Sequence, residues 1–326
     1  MSAAGTEREP AVSECDVLVA GSGPAGLTAG LFAARHGRST IVLGTQPGGS
    51  LLTIAQIDDF PGAPEGVAGY DLGPALQEQA LAAGTQIAMG ELERLEAAET
   101  GWVATSSAGR VVAAATVIVA TGTRPRRLGV PGEDRLAGRG ISHCASCDGP
   151  LHRGRTVVVV GGGDSALLEA LELTEFAQQV VVVHRGGSLR AQAVYRERVE
   201  QHQKIQVELD TVVEEVLGQD RLAALRLREL GTGAESTFEA SGLFVFVGGV
   251  AQPEFLDGLP VTDDYGHVVT DAAMGTALPG LFAAGSVRSK FTGQAVTAAG
   301  DGAAAAVAAH RHLQRGSPAL ARLPST

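Results

Sequence analysis

A short apolar strand that runs into a glycine turn and then a helix occurs twice in this chain, and that repeat limits the fold more than any other feature. The first copy is residues 16–20 (DVLVA), then Gly21, Ser22, Gly23, Pro24, Ala25 and Gly26, then a helical stretch over 27–36. Gly21, Gly23 and Gly26 have the G-x-G-x-x-G spacing of a dinucleotide site. The first glycine permits the tight turn, the second lets a pyrophosphate reach the backbone, and the third lets helix and strand pack closely. A strand at 40–43 completes a βαβ unit. It ends at Gly44-Thr45 instead of the acidic residue that usually holds a ribose, which leaves backbone groups near Gly48 and Gly49 for that contact. The second copy is 155–160 (RTVVVV), then Gly161, Gly163 and Ala166 enclosing Asp164 and Ser165, a helix over 167–176 and a strand at 180–183. It ends in His184-Arg185, with Arg190 close behind. Arginines at the place where an acidic residue selects NAD suit the 2′-phosphate of NADP. Further apolar strands at 117–120, closed by Thr121-Gly122, near 243–247, and at 280–284, closed by Gly285-Ser286, precede an Ala-rich helix over 294–313. Strands and helices alternating in this way predict an α/β fold with two nucleotide-binding units.

Between the two fingerprints lies Cys144-Ala145-Ser146-Cys147-Asp148-Gly149. Two intervening residues let both sulfurs reach disulfide geometry and exchange with an outside disulfide. A zinc ion needs about four ligands, and the chain has no second Cys-x-x-Cys. Asp148 beside the pair can carry the proton that thiolate chemistry needs. His143 precedes the first cysteine, where a protonated imidazole stabilises a thiolate. Cys15 stands alone at the start of a strand and reads as a small packed residue. Three cysteines do not make an even disulfide framework, so a cytoplasmic redox pair is the expectation. At 326 residues the chain suits two domains, and its formal charge of −11 argues against nucleic acid as a partner. No apolar run is long enough for a membrane, and residues 1–14 read as a loose polar tail.

Taken together, these motifs resemble the low-molecular-weight thioredoxin reductases, over residues 15–313. Further matches are Gly48-Gly49 with Asp59-Phe60-Pro61-Gly62, the Ala120-Thr121-Gly122 turn, and Ala283-Ala284-Gly285 followed by Gln294-Ala295. The resemblance implies a discontinuous FAD domain, 1–123 and 249–326, with a Rossmann-like NAD(P)H domain carrying the dithiol, 124–248, inserted into it. It implies FAD and NADPH (or NADH) as cofactors, thioredoxin or a similar small disulfide as partner, and a homodimer. It also implies roles: Cys147 faces the flavin, Cys144 attacks the partner disulfide, and Asp148 is the acid.

Several positions depart from that family. Ser286 stands where an aspartate usually holds the ribityl chain, Gly293 replaces an arginine, and Gly186 shortens a His-Arg-Arg phosphate clamp. Leu168 replaces a helix glutamate, and Gly248-Gly249-Val250-Ala251-Gln252 replaces a Gly-His-x-Pro-Asn stretch. The dithiol is untouched while the nucleotide sites are altered, the pattern of a divergent paralogue. Three rival readings follow: a flavin dithiol oxidase, for which a histidine is usual in place of Asp148; a ferredoxin-dependent reductase; and a redox sensor that holds FAD without turnover.

Overall fold

The computed structural model describes residues 12–316. The chain opens on β1 (Val12–Ala20), α1 (Pro24–Arg35) and β2 (Thr40–Leu43), then α2 (Gly69–Ala82) and β3 (Gln86–Ala88). Three longer strands follow: β4 (Leu92–Ala97), β5 (Trp102–Ser106) and β6 (Val111–Val119). Next come β7 (Thr123–Pro125), α3 (Glu133–Leu136), β8 (Ile141–Ser142) and α4 (Ala145–Asp148). The second repeat is β9 (Thr156–Val160), α5 (Asp164–Leu173), β10 (Gln179–Val183), α6 (Ala193–Glu200) and β11 (Ile205–Glu208). The antiparallel trio β12 (Thr211–Leu217), β13 (Ala224–Glu229) and β14 (Glu235–Glu239) leads to β15 (Gly242–Val245) and β16 (Gly249–Ala251). The chain closes with β17 (Leu281–Ala283) and α7 (Ala295–Gln314).

These elements form two compact units. One combines the residues up to Thr123 with those from Ala251 onward, and the other is Arg124–Val250. In the first, the sheet order is β3-β2-β1-β6-β5-β4, with β17 also on β6. Strands β3, β2, β1, β6 and β17 are parallel, and β5 and β4 add an antiparallel edge. Val17, Leu18, Val19 and Ala20 are fully buried, because a parallel strand covered on both faces has no solvated side. Helix α7 meets α1 through small residues: a Cβ at Gly302 would lie 2.1 Å from the Ala25 carbonyl oxygen. The alanine-rich composition of α7 is what this close approach requires. In the second unit β11-β10-β9-β15-β8 form a parallel sheet, and the valine runs of β9 and β10 are buried inside it.

Both units are Rossmann-like, and the second is inserted into the first. The first strand begins before Cys15, within the stretch expected to be a loose tail. Val12, Ser13 and Glu14 already belong to β1, because they pair with Val111, Val112 and Ala113 of β6; residues 1–11 lie outside the described residues. Cys15 is accordingly within the strand, packed against the core, and burial pushes its thiol up to about 12. The helices also begin earlier than apolar periodicity suggests, at Pro24 and Asp164. The fingerprint residues themselves form the first turn.

Candidate active site

The dithiol sits where β8 turns into α4. Cys144 and Cys147 form a disulfide with their Cα atoms 5.4 Å apart. Cys144 caps α4: its sulfur accepts a hydrogen bond from the Cys147 N–H at 3.2 Å and lies 3.3 Å from Ser146 Oγ. The Ser142 hydroxyl accepts from the Cys144 N–H at 3.1 Å and donates to the Cys144 carbonyl at 3.3 Å. The Asp148 N–H also donates to that carbonyl, at 3.2 Å. In this oxidised form Cys144 is 8% exposed, whereas Cys147 is exposed. Accessibility therefore points to Cys147, while the hydrogen bond to sulfur favours negative charge on Cys144.

The neighbours of the pair are equally defined. Nδ1 of His143 is 2.8 Å from the Val245 carbonyl on β15, so in the neutral ring Nδ1 donates and Nε2 is left as the acceptor. Asp148 is half-buried at the end of α4. Its charge acts on buried His152, whose pKa burial lowers and Asp148 partly restores. Glu169 on α5 was not marked by the sequence motifs. Its Oε2 accepts from the Ala145 N–H at 2.6 Å, and burial pushes its carboxyl up to about 7. A glutamate on the otherwise apolar face formed by Ala166, Ala170 and Leu173 was the available signal.

The first fingerprint forms a cradle. A Cβ at Gly21 would lie 2.1 Å from the Ala120 carbonyl oxygen, and one at Gly26 would lie 1.8 Å from that of Gly21. At Gly23 it would meet nothing within 4 Å. The first and third glycines are thus packing necessities, and the second faces open space at the start of α1, which has no side-chain cap. This fits a pyrophosphate held by backbone N–H groups. Gly48 donates to the Ser22 carbonyl at 2.8 Å, and a Cβ at Gly49 would lie 2.9 Å from Gly23 Cα, so both glycines reach the cradle. Gly44 explains the missing acidic residue, since any Cβ there would collide with Ser22 Oγ at 2.0 Å. Gly122 faces Ser286 Oγ across 3.6 Å of would-be Cβ contact, and Gly285 packs on Ala25. Gln294 and Ala295 open α7, and Asp59 lies in the loop before α2. An unforeseen ion pair fixes this wall. Asp301 of α7 accepts from the Gly285 N–H at 3.1 Å and from Arg288 at 2.9 Å.

The second fingerprint repeats the arrangement. A Cβ at Gly161 would strike the Phe246 carbonyl, whereas Gly163, before uncapped α5, faces open space. Ala166 is buried and Ser165 exposed. Asp164 is engaged locally: its Oδ1 accepts from the Gln192 N–H at 2.7 Å and its Oδ2 from the Gln192 amide at 3.1 Å. His184 is packed against Gly162. Burial lowers its pKa first, then the charges of Arg190 and Arg185.

Comparison with known proteins agrees with this geometry. The family model described as pyridine nucleotide-disulphide oxidoreductase matches residues 15–303. The chain belongs to that family. It is 40% identical to a thioredoxin reductase of Mycolicibacterium smegmatis over 91% of this chain and 96% of that protein. It is 38% identical to one of Listeria innocua over 94% of this chain and 96% of that one. Among solved structures it resembles Lactococcus lactis thioredoxin reductase with a TM-score of 0.90 and 36% identity, covering 92% of this chain and 99% of that one. The chain has two glycine turns at helix starts and one disulfide. Among the described residues, no helix is long and apolar enough to cross a membrane.

Proposed function

We propose that this protein is a thioredoxin reductase, passing electrons from NADPH through FAD and the Cys144/Cys147 pair to thioredoxin or a similar disulfide. The observation that carries this reading is the disulfide capping α4 in a unit that also holds a second dinucleotide cradle. FAD, when bound, takes up a hydride and releases electrons as a pair. The unit bearing Gly21–Gly26 would hold it, with Ser286 and the start of α7 beside it, and the unit bearing Gly161–Ala166 would hold NADPH. The reduced pair then acts by exchange. The Cys144 thiolate attacks one sulfur of the partner disulfide, and the other leaves as a thiolate that takes a proton. Cys147 next attacks Cys144, which closes the pair and releases the partner's second thiol. The electron count closes: the partner gains two electrons and the pair loses two. A cytoplasmic homodimer completes the reading.

The test is anaerobic reduction by NADPH and by NADH, followed at the flavin absorbance, with thioredoxin disulfide then added. Bleaching by NADPH and recovery on adding thioredoxin are expected. Arg185 and Arg190 keep two charges for a 2′-phosphate, but Gly186 removes a third. A lost charge-assisted contact costs about 1.5–3 kcal/mol, or about ten- to a hundredfold in affinity. The specificity constant should therefore favour NADPH only moderately, and a preference above several thousandfold contradicts this. Reduction by neither nucleotide would turn the reading toward ferredoxin.

FAD binding should be weaker than the cradle allows. Ser286 can donate or accept, but a hydroxyl is a poorer acceptor than a carboxylate. Ser286→Asp should tighten FAD by about fivefold, the roughly 1 kcal/mol between neutral and charge-assisted hydrogen bonds. Titration of apoprotein with FAD, read by fluorescence quenching, measures it; unchanged or weaker binding removes the role given to Ser286.

A further inference from the structure

A buried carboxyl lies beside the redox turn, and the exchange chemistry above does not use it. Glu169 is 7% exposed and sits on a face of α5 whose other members, Ala166, Ala170 and Leu173, are fully buried. A carboxyl in such a place is costly unless a donor meets it. The donor is the N–H of Ala145, at 2.6 Å, on the residue that follows Cys144. Every other backbone hydrogen bond at Cys144 is local. Ser142 takes its N–H and meets its carbonyl, Asp148 donates to that carbonyl, and Cys147 donates to its sulfur. The Glu169 carboxylate hydrogen-bonds this turn to the helix of the second fingerprint, beside the apolar packing of Ala145 on that helix.

We propose that Glu169 is a positioning residue for the disulfide chemistry: it holds the Ala145 amide so that the Cys147 N–H points at the Cys144 sulfur, and its charge sets how readily Cys144 becomes a thiolate. This rests on the reading that Cys144 and Cys147 are the reacting pair. The carboxylate holds the amide of the residue that follows Cys144, and its burial limits the solvent screening of its charge.

The charged surroundings are few. On α5 itself Glu172 faces Glu169 and raises it, secondary to burial, while the Ala145 hydrogen bond lowers it. Helix α4 brings Asp148 and the two cysteines, and the turn after it brings His152. From α6 the inward titratable group is Tyr195; Arg196, Glu197, Arg198 and Glu200 are exposed. Strands β9 and β10 present valines. With the carboxyl raised to about 7, it is neutral below that pH and does not oppose a thiolate. Above it, Glu169 carries a negative charge beside Cys144 and holds thiolate formation back.

The reduced holoenzyme is alkylated with iodoacetamide from acid to alkaline pH, and modification of Cys144 is read by fragment mass spectrometry, which separates it from Cys147 and Cys15. Glu169→Gln keeps an acceptor for the Ala145 amide but no charge. Its alkylation midpoint should fall by about 1 pH unit, the scale of a like charge removed from a thiolate's surroundings. Glu169→Met fills similar space without a carboxamide or carboxylate oxygen, so its midpoint should lie above that of Glu169→Gln. A Glu169→Gln profile superimposed on the wild type overturns the proposal, as does a Glu169→Met profile superimposed on Glu169→Gln. Alkylation needs no partner protein. A chain inactive toward thioredoxin would still give these profiles, so failure of the functional reading and failure of this one remain distinct.

Discussion

Cys147→Ser is expected to trap its disulfide partner as a stable covalent adduct, and Cys144→Ser is expected not to. Each substitution removes half of an obligatory pair, so turnover with thioredoxin disulfide should fall at least about 10³-fold in both. The trapping result separates them. If Cys144 attacks, Cys147→Ser still forms the mixed disulfide but has no second sulfur to release it. Electrostatics favour Cys144. Its sulfur is the cap of α4 and receives the Cys147 N–H at 3.2 Å, which lowers the cost of negative charge there. Access favours the reverse order, since Cys147 is exposed and Cys144 is 8% exposed. Acidity should win, because the thiolate is the attacking species and a small change of packing uncovers a sulfur more cheaply than a new donor is built. Mass spectrometry of adducts with a monocysteine thioredoxin, presented as its mixed disulfide with thionitrobenzoate so that thionitrobenzoate leaves, decides it. Trapping by Cys144→Ser instead reverses the roles, and full turnover by either serine variant means that electrons do not pass through the pair.

The features legible in the sequence were those whose physics is local. A βαβ turn needs its glycines within a few residues of one another, so Gly21, Gly23, Gly26, Gly161 and Gly163 could be read without a partner segment. The same holds for two cysteines three positions apart. The absent acidic residue after β2 was legible, but its cause was not. Gly44 is required by Ser22, and that contact depends on how the turn folds back on the strand. The Asp301–Arg288 pair and the Glu169–Ala145 hydrogen bond were hidden for the same reason. Each joins residues 13 or 24 positions apart on different elements, and neither makes a pattern in composition or periodicity. Asp164 shows the opposite case. It belongs to the fingerprint turn, yet its carboxylate holds Gln192 at the entry to α6. The strand boundary at Val12 was missed because Ser13 and Glu14 are polar, and a polar residue can pair through its backbone as well as an apolar one.

Asp148→Asn should slow reduction of the partner disulfide by about 10²–10⁴-fold, the usual contribution of a positioned general acid, while FAD content and melting temperature stay close to wild type. Asparagine has the same shape but no exchangeable carboxyl proton. The exchange needs that proton twice, once for each thiolate that leaves the partner. Asp148 follows Cys147 directly and closes α4, so its carboxyl moves with the pair wherever the turn goes. Its nearest titratable rivals differ in a way kinetics can read. His143 is anchored through Nδ1 to β15, and His152 is buried with its pKa lowered, first by burial. Glu169 faces the Ala145 amide. If Asp148 is the acid, Asp148→Asn should lower the single-turnover rate at every pH tested, and Glu169→Gln should only displace its profile. Single-turnover oxidation of the reduced enzyme by thioredoxin disulfide across pH makes the comparison. An Asp148→Asn enzyme as fast as wild type would move the acid elsewhere, with His143 the next group to test because its Nε2 is not used by β15. The alternative in which Glu169 itself supplies the proton predicts the converse pattern, with the rate lowered by Glu169→Gln and left in place by Asp148→Asn.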